Sequence, residues 1–136
     1  MRLAHKVATG PNIFIAPFVD YTELIPRLAG VVTNGGYGTV SLALQAGVPI
    51  LAVGRSEDKA EIGARVAWSG AGIEISTVPP SSDEIGNAIN LLLTEPSFRS
   101  RAQELAGDFR AIDTPHEIMA VIDEMIGRMK PLNLVE

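Results

Sequence analysis

The 136-residue chain has no cysteine. That single absence excludes disulfides, thiolate zinc sites and cysteine nucleophiles together. It has no basic excess either: 11 Lys and Arg stand against 16 Asp and Glu, for a formal net charge of −5. A general nucleic-acid binder needs a basic face, so that class is excluded. A mononucleotide is not excluded, because loop amides and a helix N-terminus hold phosphate without surplus Lys or Arg. No apolar run approaches the roughly 20 residues of a membrane span. Met1-Arg2-Leu3-Ala4-His5-Lys6 opens with charge but leads into no apolar h-region, being interrupted at Pro11 and Asn12. No signal peptide and a cytoplasmic location are therefore expected.

What is present describes a foldable chain. Apolar residues make up 46% and charged residues 20%, which separates it from disordered sequences. The length suits one domain over residues 1–136 with a real core, and not two.

Asn12-Ile13-Phe14-Ile15-Ala16-Pro17-Phe18-Val19, entered after Gly10-Pro11, is rich in strand formers and is expected to be a strand. Asp20 is placed to cap a helix over 21–28, with Glu23 closing a capping box. Further strands are expected at Val31-Val32-Thr33, at Val48 to Val53 and at Ile73-Glu74-Ile75. Helices are expected over 39–45, 57–69, from Ser81 or Ser82 onward, after Thr94-Glu95-Pro96, and from Pro115 to about Met129. Ile85, Ile89, Leu92 and Leu93, and later Ile118, Val121, Ile122, Met125 and Ile126, recur at helical spacing. Nearly all-apolar strands alternating with helices imply a parallel sheet covered on both faces, a three-layer Rossmann-like α/β domain.

Between the strands at 31–33 and 48–53, the chain crowds Gly35, Gly36, Gly38 and Gly47 around Asn34, Tyr37 and Thr39. Ligands of open parallel sheets bind outside the carboxyl ends of the strands, and this turn lies at such an end. Glycines there let the backbone take positive φ and approach a ligand without Cβ atoms in the way. Thr39, opening the next helix, offers a hydroxyl and unpaired N–H groups to an anion. The loop Gly54-Arg55-Ser56-Glu57-Asp58-Lys59 falls at the same edge. A strand-to-helix turn also tolerates glycine for purely structural reasons, so GGxG alone is a weak motif.

The combination is more specific. Val32-Thr33-Asn34-Gly35-Gly36-Tyr37-Gly38-Thr39, Ala43-Leu44, Gly47-Val48-Pro49, Asp58, Ala64-Arg65-Val66 and Gly70-Ala71-Gly72 resemble the donor-binding domain of UDP-glycosyltransferases, enzymes of the GT-B fold. Pro17-Phe18-Val19 and Glu23-Leu24-Ile25-Pro26 resemble the segment before that motif, so the resemblance covers about residues 12 to 110. It implies half of a GT-B fold, with a sugar moved from a UDP- or dTDP-sugar to a small lipophilic acceptor. It further implies that Asn34, Gly35, Gly36, Gly38 and Thr39 lie at the donor diphosphate, with Tyr37 flanking the turn. Asp58 and Lys59 stand where the family's Asp-Gln pair holds sugar hydroxyls. No metal and no other cofactor are implied.

The departures from the family are specific too. Asn34 replaces a His; it can donate a hydrogen bond but carries no positive charge. Leu42 replaces a Glu that holds the ribose, and Lys59 replaces the Gln after Asp58. The family's catalytic His belongs to an acceptor domain, and the resemblance implies that this chain begins beyond it and beyond the first donor-domain strand. Neither His5 nor His116 is expected to serve as base, so the isolated chain is predicted inactive. Self-association is expected, through the uncovered sheet edge or through the face that normally meets the acceptor domain.

Asp20, Glu23, Asp58 and Glu61 form no convincing metal site. Glu57, Lys59, Glu61 and Arg65 read as a solvated helix face, Arg99 and Arg101 as surface charge, and Trp68 as packed at the end of its helix. Leu42 and Asn34 favour an alternative, a non-catalytic interaction or regulatory fragment with a degenerate donor site. UDP-sugar epimerases and lipid-linked GlcNAc transferases, with similar glycine turns, are a third reading.

Overall fold

The structure, a computed structural model, describes residues 10–54 and 59–128. Its centre is a parallel sheet of three strands in the order β1-β2-β3: Val31–Thr33, Ile50–Val53 and Gly72–Ile75. Val31 stands beside Ile50, and Ile50 beside Gly72, so the three strands are in step. Helix α2 (Tyr37–Gln45) connects β1 to β2, α3 (Lys59–Ser69) precedes β3, and α4 (Ser82–Thr94) follows it. A short α1 (Tyr21–Leu24) precedes the sheet, and α5 (Pro96–Ala111) and α6 (Thr114–Arg128) end the described chain.

Strand alternation separates two cores. On one face Val31 and Ile50 pack with Ile25, Val40 and Ala43 of α2 and Val66 of α3. On the other, Leu51 and Ile75 pack with Leu92 of α4, flanked by Val53, Ile73, Ile85 and Ile89. Ile50 and Leu51 are neighbours in sequence yet both fully buried, as a sheet covered on both faces requires. The helix–sheet–helix sandwich expected from the sequence is therefore present. Close approach fixes Gly72: a Cβ there would meet the Ile50 carbonyl oxygen at 2.1 Å and Val66 Cγ1 at 2.6 Å.

The structure corrects several local expectations. Residues 12–19 form a turn and loop, with Phe14 92% and Phe18 84% exposed, and no sheet neighbour for them exists among the described residues. Strand propensity alone does not make a strand without an edge to pair with. The helix after Asp20 ends at Leu24 and tightens into a 3₁₀ turn over Ile25–Arg27, because Pro26 supplies no N–H to continue it. Asp20 does cap it, accepting from the Thr22 backbone N–H and hydroxyl at 2.9 and 2.6 Å. Trp68 is 90% exposed rather than packed. The helix expected over 57–69 is described from Lys59, and Glu57 lies outside the described residues, as do His5 and Met129.

Arg99 is not surface charge. Its guanidinium donates to the carbonyls of Leu28 (3.0 Å), Ala29 (2.8 Å) and Gly47 (3.4 Å), tying α5 to the loops that enter β1 and β2. Arg101 likewise reaches the Ser69 carbonyl at the end of α3 (3.0 Å). Helix α6 has the expected apolar stripe, but Ile118, Val121, Ile122, Met125 and Ile126 are all exposed.

Candidate functional site

The glycine turn lies at the carboxyl end of β1, as expected. Helix α2 begins at Tyr37, two residues before the expected start, with Gly36 as its cap. The first helical bond runs from the Val40 N–H to the Gly36 carbonyl at 3.1 Å. The N–H groups of Tyr37, Gly38 and Thr39 have no carbonyl four residues back within the helix. They sit at the positive end of the α2 dipole, where negative charge is favoured. The earlier start therefore widens the available set of amides beyond Thr39 itself.

Asn34 shapes this end. Its Oδ1 accepts the Gly36 N–H at 3.3 Å, folding the turn back on itself. The Asn34 amide oxygen is thus occupied within the turn, leaving its Nδ2 as the group that can donate outward.

Two close approaches bring the neighbouring loop in. Gly35 has φ +84°, and a Cβ on it would stand 3.2 Å from the Lys59 carbonyl oxygen. Gly54, at the end of β2 with φ +148°, would place a Cβ 3.2 Å from the Asn34 carbonyl oxygen. Sequence reading missed Gly54 as a site residue. Its signal was present, since β1 and β2 are parallel neighbours and each ends in a loop with glycine. The structure therefore brings together Asn34, Gly35, Gly36, Gly38, Thr39 and the start of α3 at Lys59. Asp58 lies outside the described residues.

Beside the turn, a cavity of about 310 Å³ runs along β1, lined in part by Tyr21, Leu24, Thr33, Asn34 and Thr39. It joins polar groups to an aromatic ring next to the free amides. The sequence carried no sign of it beyond the Asp20 cap that places α1. Tyr37 also lines a separate groove of about 300 Å³ with Leu44, Ile62, Trp68 and Phe109.

Leu42 is half-buried and packs on the Ile25–Val31–Val40 core. His116 is exposed in the first turn of α6, its backbone N–H donating to Asp113 Oδ1 at 3.2 Å. Glu61 pairs with Arg65 at 2.7 Å on the exposed face of α3, as its spacing predicted. Among the described residues no three His, Cys, Asp or Glu side chains gather as metal ligands. No described helix is long and apolar enough to cross a membrane.

This architecture matches the C-terminal half of GT-B glycosyltransferases. The spinosyn forosaminyltransferase SpnP superposes with a TM-score of 0.81 over 90% of this chain and 33% of its own, at 23% identity. The glycosyltransferase VinC, solved in complex with dTDP, does so with a TM-score of 0.76 over 86% and 31%, at 27% identity. Residues 3–125 match the erythromycin biosynthesis protein CIII-like C-terminal domain, and the chain belongs to that glycosyltransferase family. UDP-glycosyltransferase 2 of Phaeomoniella chlamydospora is 39% identical over 84% of this chain and 25% of its own length. The 4'-demethylrebeccamycin synthase of Lentzea aerocolonigenes is 36% identical over 85% and 27%. The chain thus spans about a quarter of the length of the curated relatives it matches.

Proposed function

We propose that this chain is the donor-binding part of a glycosyltransferase that moves a sugar from a nucleotide diphosphate sugar to a small lipophilic acceptor. The observation that carries the reading is the N-terminus of α2: three amides without helical partners, backed by a glycine turn with no Cβ between backbone and ligand. In this reading the amides of Tyr37, Gly38 and Thr39 and the Thr39 hydroxyl hold the donor diphosphate. Asn34 lends its Nδ2, and Asp58 and Lys59 hold hydroxyls of the sugar. No metal is assigned a role.

Glycosyl transfer needs a base to take the acceptor proton beside the donor's anomeric carbon. His116 is held at the start of α6 by Asp113 and is given no such role. The acceptor site and its base are assigned to a separate acceptor domain, so the isolated chain is expected to bind a donor without turning it over.

Calorimetric titration with UDP and dTDP tests the reading. Micromolar-to-millimolar binding, weakened by Thr39→Val, supports it; no binding of either nucleotide overturns it. A second reading, an interaction fragment with a degenerate donor site, is favoured by Leu42, which is spent on the core. It predicts the no-binding outcome. The edge of β1, which has no neighbouring strand among the described residues, is expected to pair with a second copy, and a monomer across a wide concentration range in sedimentation counts against that.

A further inference from the structure

The donor turn contains Asn34-Gly35, and of the five asparagines in the chain only Asn34 is followed by glycine; Asn12, Asn87, Asn90 and Asn133 precede Ile, Ala, Leu and Leu. An asparagine side chain is open to attack by the backbone nitrogen of the next residue, and a Cβ on that residue hinders the approach. Gly35 has none. Asn34 is exposed, so solvent base and water reach its amide. Its Oδ1 already accepts the Gly36 N–H at 3.3 Å. That donor points at the oxygen on which negative charge develops when the amide carbon is attacked, an arrangement that stabilises such a step.

We infer that Asn34 is a site of spontaneous deamidation that switches off the anion-binding turn in which it sits. The Gly35 nitrogen loses its proton to solvent base and forms a bond to Asn34 Cγ. The Cγ–Nδ2 bond breaks, and the nitrogen leaves as ammonia after taking up a proton. The resulting five-membered imide is opened by water at either carbonyl, giving aspartate or isoaspartate. The net change is water in and ammonia out, with no oxidant or reductant.

The consequence for the turn is electrostatic and geometric. The product carries one more negative charge beside the amides proposed to hold a diphosphate, and like charges there repel. Isoaspartate also adds a backbone carbon between Asn34 and Gly35, where the turn is so close to α3 that a Cβ on Gly35 would meet the Lys59 carbonyl oxygen at 3.2 Å. Bound nucleotide, by covering the turn, should slow the reaction. This part of the inference rests on the donor-site reading; the chemistry at Asn34 does not.

The test ages the whole chain at mildly alkaline pH, with and without dTDP or UDP, and follows each asparagine peptide by mass spectrometry. A gain of about 1 Da confined to the Asn34 peptide, absent in Asn34→Gln and slowed by nucleotide, is expected. The aged protein and the Asn34→Asp variant should bind nucleotide about tenfold more weakly than the fresh chain. An Asn34 that survives in the folded chain while the urea-unfolded chain loses it would show that the fold protects it, and overturns the inference. Modification with unchanged nucleotide affinity overturns its regulatory half. If fresh protein binds no nucleotide, the donor reading fails, while the mass measurement still decides the modification.

Discussion

Gly35 and Lys59 hold the two loops of the site together: a Cβ on Gly35 would lie 3.2 Å from the Lys59 carbonyl oxygen, at a φ of +84°. Both the contact and the backbone angle select glycine, since a side chain there meets fixed backbone and a left-handed conformation at once. Gly35→Ala is therefore expected to cost about 1–3 kcal/mol of stability. Urea unfolding reads this directly. Gly38→Ala is the control, because a Cβ on Gly38 meets nothing within 4 Å and lies in a helical turn. Equal losses in both variants would contradict the account.

Arg99 joins elements that the sequence keeps far apart. Three carbonyls, on Leu28, Ala29 and Gly47, converge on its guanidinium from the loops before β1 and β2. A hydrogen bond to a charged group contributes roughly 1.5–3 kcal/mol, and shared bonds do not add, so Arg99→Met is expected to lose about 2–4 kcal/mol. Arg99→Lys, with a point charge instead of a fork, should recover only part of this. Thermal unfolding of the pair distinguishes the clamp from an idle surface charge, which would leave both variants unchanged.

These two sites show what the sequence could and could not reveal. Alternation of apolar strands and helices announced the sandwich, because a two-faced core leaves its periodicity in Ile50-Leu51 and in the α4 positions Ile85, Ile89 and Leu92. The glycine turn was legible because few residue types satisfy a strand-to-helix bend with positive φ. Arg99 was not legible: its role depends on carbonyls 52 to 71 residues away, and carbonyls carry no residue identity. Residues 12–19 misled for a related reason. Their strand-like composition reports a preference for a pleated, half-buried surface, and no sheet neighbour among the described residues supplies one. Trp68 failed similarly, since its place on the outer face of α3 follows from which stripe meets the sheet.

The cap on α1 has a pH signature. The Thr22 hydroxyl, and then the Thr22 backbone N–H, hold the Asp20 carboxyl below the ordinary aspartate value. A carboxyl with a depressed folded pKa stabilises the fold above its unfolded value of about 4, and that contribution is lost as pH falls through the lower folded value. Carboxyl-detected NMR titration should place Asp20 below the ordinary aspartate value, and Thr22→Val should move it up. An Asp20 that titrates alike in both proteins would leave the cap without its proposed partner.

The central claim is that the amides at the start of α2 receive the donor diphosphate. Amide-resolved NMR during a dTDP or UDP titration tests it most directly. The account predicts that the N–H signals of Tyr37, Gly38 and Thr39 shift first and furthest, followed by those of Asn34, Gly35 and Gly54, with saturation at one nucleotide per chain. Shifts confined to the groove between Tyr37, Trp68 and Phe109, or none at saturating nucleotide, would contradict it.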